Sequence, residues 1–193
     1  MLWLLIRRAG AYVVDIVLLF SVLFPVGQLL RFAVGWPTAS PTGLEVWLAA
    51  VLNFSLPTWT YFVLSDSSAR GATGGKRLIG LQVTRVTGGS VGTARALART
   101  AVKLVPWEMT HLSAFALSGL EPWQVIGLIT ANGLIVVYVV VAACTGGRRN
   151  VHDFVTATEV CPVRGETESL KPTVGEKVSG TVFISLCEIT TSD

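Results

Sequence analysis

Residues 1–34 read MLWLLIRRAGAYVVDIVLLFSVLFPVGQLLRFAV. Almost every side chain in this stretch suits hydrocarbon, yet Asp15 lies inside it and Arg8 precedes Asp15 by about two helical turns, which puts both on one helix face. A lone charge at the centre of a membrane helix costs roughly 2.5–3.5 kcal/mol on insertion scales, so such residues turn toward protein or water and find partners. The stretch therefore predicts a first membrane helix over about 9–30 whose charged residues look inward. Ala9 and Ala11 after an apolar start resemble a cleaved leader. Arg7-Arg8 follows the first apolar residues, however, and the later apolar run is too long for a leader's core, so a retained helix is expected.

The whole chain agrees with that reading. Of its 193 residues 51% are hydrophobic and only 14% charged, with a mean hydropathy of +0.62, as in membrane proteins. The net charge of +3 is small and unevenly spread. Aromatic residues sit in apolar segments and are not interleaved with bases, which excludes nucleic acid as a partner. The lipid bilayer is the expected one. Cys144, Cys161 and Cys187 form no zinc spacing and no CxxC pair, which predicts reduced thiols and no metal or other cofactor.

Three more segments follow. Residues 44–64 form a second apolar run, with Pro57 expected as a tolerated kink and Trp47, Trp59 and Tyr61 as interface or packing aromatics. Residues 66–92 are glycine-rich and basic, and a loop of this kind must lie outside hydrocarbon or be covered by protein. Within it, 81–86 alternates apolar and polar residues before a glycine turn, the pattern of a strand. Residues 93–117 carry Arg95, Arg99 and Lys103 at every fourth position, one basic stripe on a helix. This segment would lie on the membrane surface or cross it. Residues 122–144 contain no charge and are long enough to span. A short β-like run over 154–160 comes next, then a polar tail, 164–193, expected to be mostly disordered. Domain boundaries are thus placed at 1–163 and 164–193.

Bases cluster at Arg7-Arg8, Arg70–Arg85 and Arg148-Arg149. The positive-inside rule puts all three clusters in the cytoplasm. An even number of crossings must then separate the second cluster from the third, so segment three crosses or enters deeply. The expectation is an all-α membrane protein: a bundle of four transmembrane or partly re-entrant helices, both termini cytoplasmic, with a small cytoplasmic β element pairing about 80–86 with 154–160.

Several local motifs bear on chemistry. GATGGK (71–76) falls short of a phosphate-binding loop, because G-x-x-x-x-G-K-[ST] would need glycine at Arg70 and a hydroxyl at Arg77. Glycine-rich amides with Lys76 would still suit an anion or a lipid headgroup. A tight turn that lets the strand pair is the plainer reading. Glu108-x-x-His111 is a single helical E-x-x-H, whereas di-metal centres use paired copies on facing helices. A polar contact within the bundle is expected there, with no metal. His152 is placed to titrate near neutrality or to pack beside the last helix. No nucleophile accompanies either histidine, so no enzyme is expected.

Three blocks together resemble the RDD family of membrane proteins: RAGAYVVD (8–15), GATGGKRLIGLQV (71–83) and NVHDFVTATEV (150–160). The name residues, an arginine and two aspartates, correspond to Arg8, Asp15 and Asp153. The loop matches at Gly71, Thr73, Gly75, Lys76 and Gly80, departing mildly at Ala72 and Gly74. The likeness covers about residues 5–163. It implies a bacterial, multi-pass cell-membrane protein and points toward cation/proton exchange or small-solute transport, in which Asp15 near basic groups would serve a proton or cation pathway. Four short helices are few for a transporter, so a homo-oligomer or a membrane partner is expected. Two alternatives stand beside transport. Arg8, Asp15, Arg95, Arg99 and Asp153 would neutralise one another at the inner boundary for purely structural reasons. Or the chain would be a non-transporting adaptor, assembly or sensor module that binds a partner at its cytoplasmic face.

Overall fold

A computed structural model describes residues 2–33, 35, 42–114 and 121–163; the tail predicted over 164–193 lies outside them. Helix α1 spans Leu2–Ala33 and runs through Pro25 without a break. Helix α2 (Gly43–Ala50) opens on a capping box between Thr42 and Glu45 and continues through a π-helical turn, Val51–Ser55, into α3 (Leu56–Ser67). The kink expected at Pro57 takes this form. Proline has no N–H to give and its ring collides with the carbonyl four residues back, and the turn before it is rewound so that Leu56 N–H reaches Val51 O.

Helix α5 spans Thr93–Ala114, passing through Pro106, and α6 spans Pro122–Cys144. Among the described residues, three helical stretches are long and apolar enough to cross a membrane: Trp3–Ala33, Gly43–Ser67 and Pro122–Cys144. Their outward side chains are apolar, among them Phe24, Leu29, Leu64, Ile126, Ile129 and Val136, all more than half exposed. On a water-facing protein a surface of that kind would be an aggregation liability. Helix α5 carries the basic stripe and is too polar to meet the same standard. It packs against both α3 and α6 as the fourth long helix of the bundle, and Tyr138 on α6 donates its hydroxyl to Val102 O at 2.6 Å.

Two short helices were not foreseen. The segment read as a tight turn contains α4 (Gly74–Ile79), started by Thr73, whose hydroxyl accepts from Lys76 N–H, and ended by Gly80 in the left-handed conformation. The β-like run expected over 154–160 begins inside a helix and is strand only in its second half. Asn150 and Asp153 form a capping box that starts α7 (Val151–Val155), and the strand begins only at Thr158. Local side-chain capping wins there over β propensity. Strand β1 (Leu81–Arg85) pairs antiparallel with β2 (Thr158–Pro162), in a register that sets Val83 opposite Val160. Leu81, Val83 and Val160 bury one face of this ribbon against Ala11 and Ala96, from α1 and α5. That small core brings the glycine-rich loop and α7 to the same end of the bundle.

Candidate functional site

At that end, five charged side chains from five helices form one chain of ion pairs. Arg8 on α1 bonds Asp153 on α7 at 2.5 Å. The other oxygen of Asp153 takes two guanidinium nitrogens of Arg99 on α5, at 2.8 and 2.9 Å. The third nitrogen of Arg99 reaches Asp66 on α3. The remaining Asp66 oxygen accepts from Lys76 on α4 at 2.8 Å. All five are buried or nearly so, with Asp66 and Asp153 fully enclosed. Buried charges are tolerated when each has a partner and its remaining valences are filled. Here Asp153 also accepts from Asn150 N–H at 2.8 Å and from the Thr158 hydroxyl at 3.1 Å. Arg8 further donates to Gly147 O and Arg148 O at 3.1 and 3.3 Å, which ties the start of α1 to the end of α6.

Electrostatics follow from this packing. Arg99, Arg8 and the pairing hydrogen bonds hold the Asp153 carboxyl well below the usual carboxylate range, against the opposing effect of burial. Burial pushes the Lys76 ammonium below its ordinary value although Asp66 pulls it up. Burial pushes His152 well below its ordinary value too, and the cations around it act the same way. Its Nε2 lies 3.0 Å from Arg8, and because a guanidinium can only donate, that nitrogen accepts the hydrogen bond.

Asp15 does not join this chain. It is buried, yet no base lies within ion-pair distance of it among the described residues. The partners of its carboxylate come from the loop and from α3: Tyr61 hydroxyl and Gly75 N–H at 2.7 Å on one oxygen, Thr73 hydroxyl at 2.6 Å on the other. Tyr61 in turn accepts from Gly74 N–H at 2.8 Å. The acid thus takes up an N–H that α4 cannot satisfy internally at its start. This contact explains the glycines. A Cβ on Gly75 would stand 2.1 Å from Ala11 O and 2.9 Å from Asp15 Oδ1. Gly71 has φ +54°, and a Cβ there would meet Val83 O at 2.4 Å.

The mutual neutralisation expected of five residues therefore holds for Arg8, Arg99 and Asp153. It fails for Asp15, and for Arg95, which makes no ion pair among the described residues. Lys76 binds the aspartate Asp66, not the anion or headgroup that the glycine-rich amides would suit. Asp66 and Tyr61 were missed as site residues. Asp66 did leave a signal: it sits in the last turn of a helix, where a carboxylate is disfavoured by the helix dipole and needs cations of its own. Lys103, from the basic stripe, lies over the rings of Phe62 (3.2 Å) and Tyr12 (5.1 Å).

A second polar feature lies deeper. Glu108 accepts from Ser55 hydroxyl at 3.0 Å and from Trp59 Nε1 at 2.9 Å, and His111 packs edge-on against Trp107 at 4.3 Å. At 1.5 Å per residue Glu108 stands about 14 Å along α5 from Arg99, well away from the ion-pair chain. It opens on a groove of about 590 Å³ between the α2–α3 segment and α5. No group of three His, Cys, Asp or Glu side chains able to hold a metal ion is found among the described residues.

The sequence model of the RDD family matches residues 4–157. No curated protein and no solved structure matches the chain.

Proposed function

The chain belongs to the RDD family, and on that footing we propose that it carries a small cation or solute across the cell membrane in exchange for protons, with Glu108 as the carboxylate that meets the cargo. The observation that carries this reading is the contrast between two acids, one enclosed by protein donors and one lining an open groove. Asp15 is closed in by three donors of the protein. The cavity above it, about 30 Å³ and mostly apolar, does not include it among its lining residues. Glu108 faces an open groove and has no ion-pair partner among the described residues. An ionisable group at membrane depth is a functional candidate by default. The family resemblance pointed toward Asp15 as the transport acid; the groove favours Glu108.

The orientation follows from charge. Arg7, Arg8, Arg70, Lys76, Arg77, Arg85, Arg148 and Arg149 belong to the end that holds the ion-pair chain, and the positive-inside rule makes that end cytoplasmic, both termini included. Because a four-helix bundle offers little room for a closed path, the working unit is an oligomer or a complex with a membrane partner.

Purified protein in vesicles carrying a trapped pH dye tests the reading. An inward gradient of sodium, potassium or tetraethylammonium should drive proton movement for at least one of these cations, at least tenfold slower in Glu108→Gln. Unchanged flux in that variant, or none in the folded wild type, overturns it.

A second reading rests on the completeness of the ion-pair chain. A clasp in which every charge has a partner needs no cargo, and the ribbon β1–β2 is an ordered platform beside it. On this reading the chain is an adaptor, assembly or sensor module. Crosslinking would recover one stoichiometric partner, lost on deleting 164–193; recovery of self-contacts alone speaks against it.

A further inference from the structure

We propose that the groove beside Glu108 is a binding site for a lipophilic organic cation, an ammonium or phosphonium with apolar substituents. The inference rests on the reading that Glu108 meets the cargo and adds its chemical class. The volume, about 590 Å³, falls within the range of small-molecule sites. Leu56, Leu64 and Leu97 give it apolar walls along its length, and Glu108 is the one charged residue that lines it. Each Glu108 oxygen accepts a single bond, from Ser55 or from Trp59. A carboxylate oxygen has capacity for about two, so both keep a lone pair for a cation.

The indoles of Trp47 and Trp59 also line the groove. Their faces attract cations whose charge is diffuse and weakly hydrated. A hard metal ion fits poorly, because it needs about six oxygen ligands. The side-chain oxygens in the lining beyond Glu108 are two hydroxyls, of Ser55 and Thr60, and that of Thr60 is engaged with Leu56 O at 2.9 Å. An anion would meet Glu108 with no base in the lining to offset it. The π-helical turn is what presents Ser55 to Glu108, and such turns occur often at functional sites.

The test uses two probes of one shape and opposite charge, tetraphenylphosphonium and tetraphenylborate, in equilibrium dialysis against the detergent-solubilised full chain. The expected result is saturable binding of tetraphenylphosphonium at one per chain, weakened at least tenfold in Glu108→Gln, with no saturable binding of tetraphenylborate. Leu64→Trp, which fills the groove from its other end and leaves the Glu108 hydrogen bonds alone, should weaken binding to the same degree. It decides the matter by itself if Glu108→Gln does not fold. Equal binding of both probes, or binding unchanged in a folded Glu108→Gln or Leu64→Trp variant, overturns the inference and leaves the groove to lipid chains. Phosphonium binding without proton-coupled flux would keep the site and end the transport reading. Flux of metal cations without phosphonium binding would do the reverse.

Discussion

Asp66 and Asp153, on different helices, share the single guanidinium of Arg99, which fills one oxygen of each. One side chain thereby fixes α3, α5 and α7 relative to one another. The outer oxygens of the two acids then recruit Lys76 and Arg8.

Arg99→Met should be severely destabilising. It leaves two enclosed carboxylates short of a cation, and breaking buried pairs costs about 3–5 kcal/mol. Arg99→Lys should rescue little, because an ammonium has no fork to span two carboxylates. Lys103→Met, one turn further along the same stripe, should shift stability by no more than about 1 kcal/mol, since that ammonium rests on aromatic rings. Thermal unfolding of the detergent-solubilised variants ranks the three.

Two glycine-to-alanine changes should diverge in sign. Gly75→Ala drives a Cβ into Ala11 O, so the α1–α4 contact must open and the Asp15 hydrogen bonds must lengthen. A loss of at least about 2 kcal/mol is expected, in the range of a lost buried hydrogen bond plus overpacking. At Gly133, in α6, a Cβ meets nothing within 4 Å. Alanine there should be neutral or stabilising by up to about 1 kcal/mol through helix propensity. Melting temperatures of the two variants against wild type decide this.

Acid should destabilise the protein through His152. Its pKa is lowered in the fold from an ordinary 6.5, so between the two values the unfolded chain binds a proton that the folded chain refuses. Stability is then full above about pH 6.5 and falls as pH drops below it. His152→Gln retains an acceptor for Arg8 and cannot titrate. Its melting temperature should be flatter between pH 6.5 and 5 than that of wild type, and equal slopes would remove His152 as the cause.

Reporter tags at the N-terminus and after Val163 should both report the cytoplasmic side. The Arg8 bonds to Gly147 O and Arg148 O hold the beginning of α1 beside the end of α6. Tags on opposite sides would contradict that neighbourhood.

Much of this was legible in the chain itself. Apolar runs locate the long helices, although α1 begins at Leu2, seven residues before the expected start, and 122–144 coincides with α6 because no charge interrupts it. The pairing of β1 with β2 could be anticipated from alternation, although the start of β2 was not. The capping of α7 by Asn150 is a side-chain effect, and β propensity at 154–157 masks it. The alliance of Arg8 with Asp153 was readable because charges in a greasy chain must meet. The destination of Asp15 was not: a carboxylate can be satisfied by amides and hydroxyls as well as by a base, and two of its three donors belong to a six-residue helix and its cap Thr73, too short to show periodicity. Glu108 was visible as half of an E-x-x-H motif. Its groove depends on how α2–α3 and α5 pack, which local pattern does not encode.

The most direct test of the clasp is a double-mutant cycle on its longest-range link. Arg8→Gln, Asp153→Asn and the double variant are unfolded under one condition and compared with wild type. A shared ion pair predicts a double variant that loses at least about 1 kcal/mol less than the sum of the single losses. Losses that add within about 0.3 kcal/mol would show that the first and last helices are not joined by these charges.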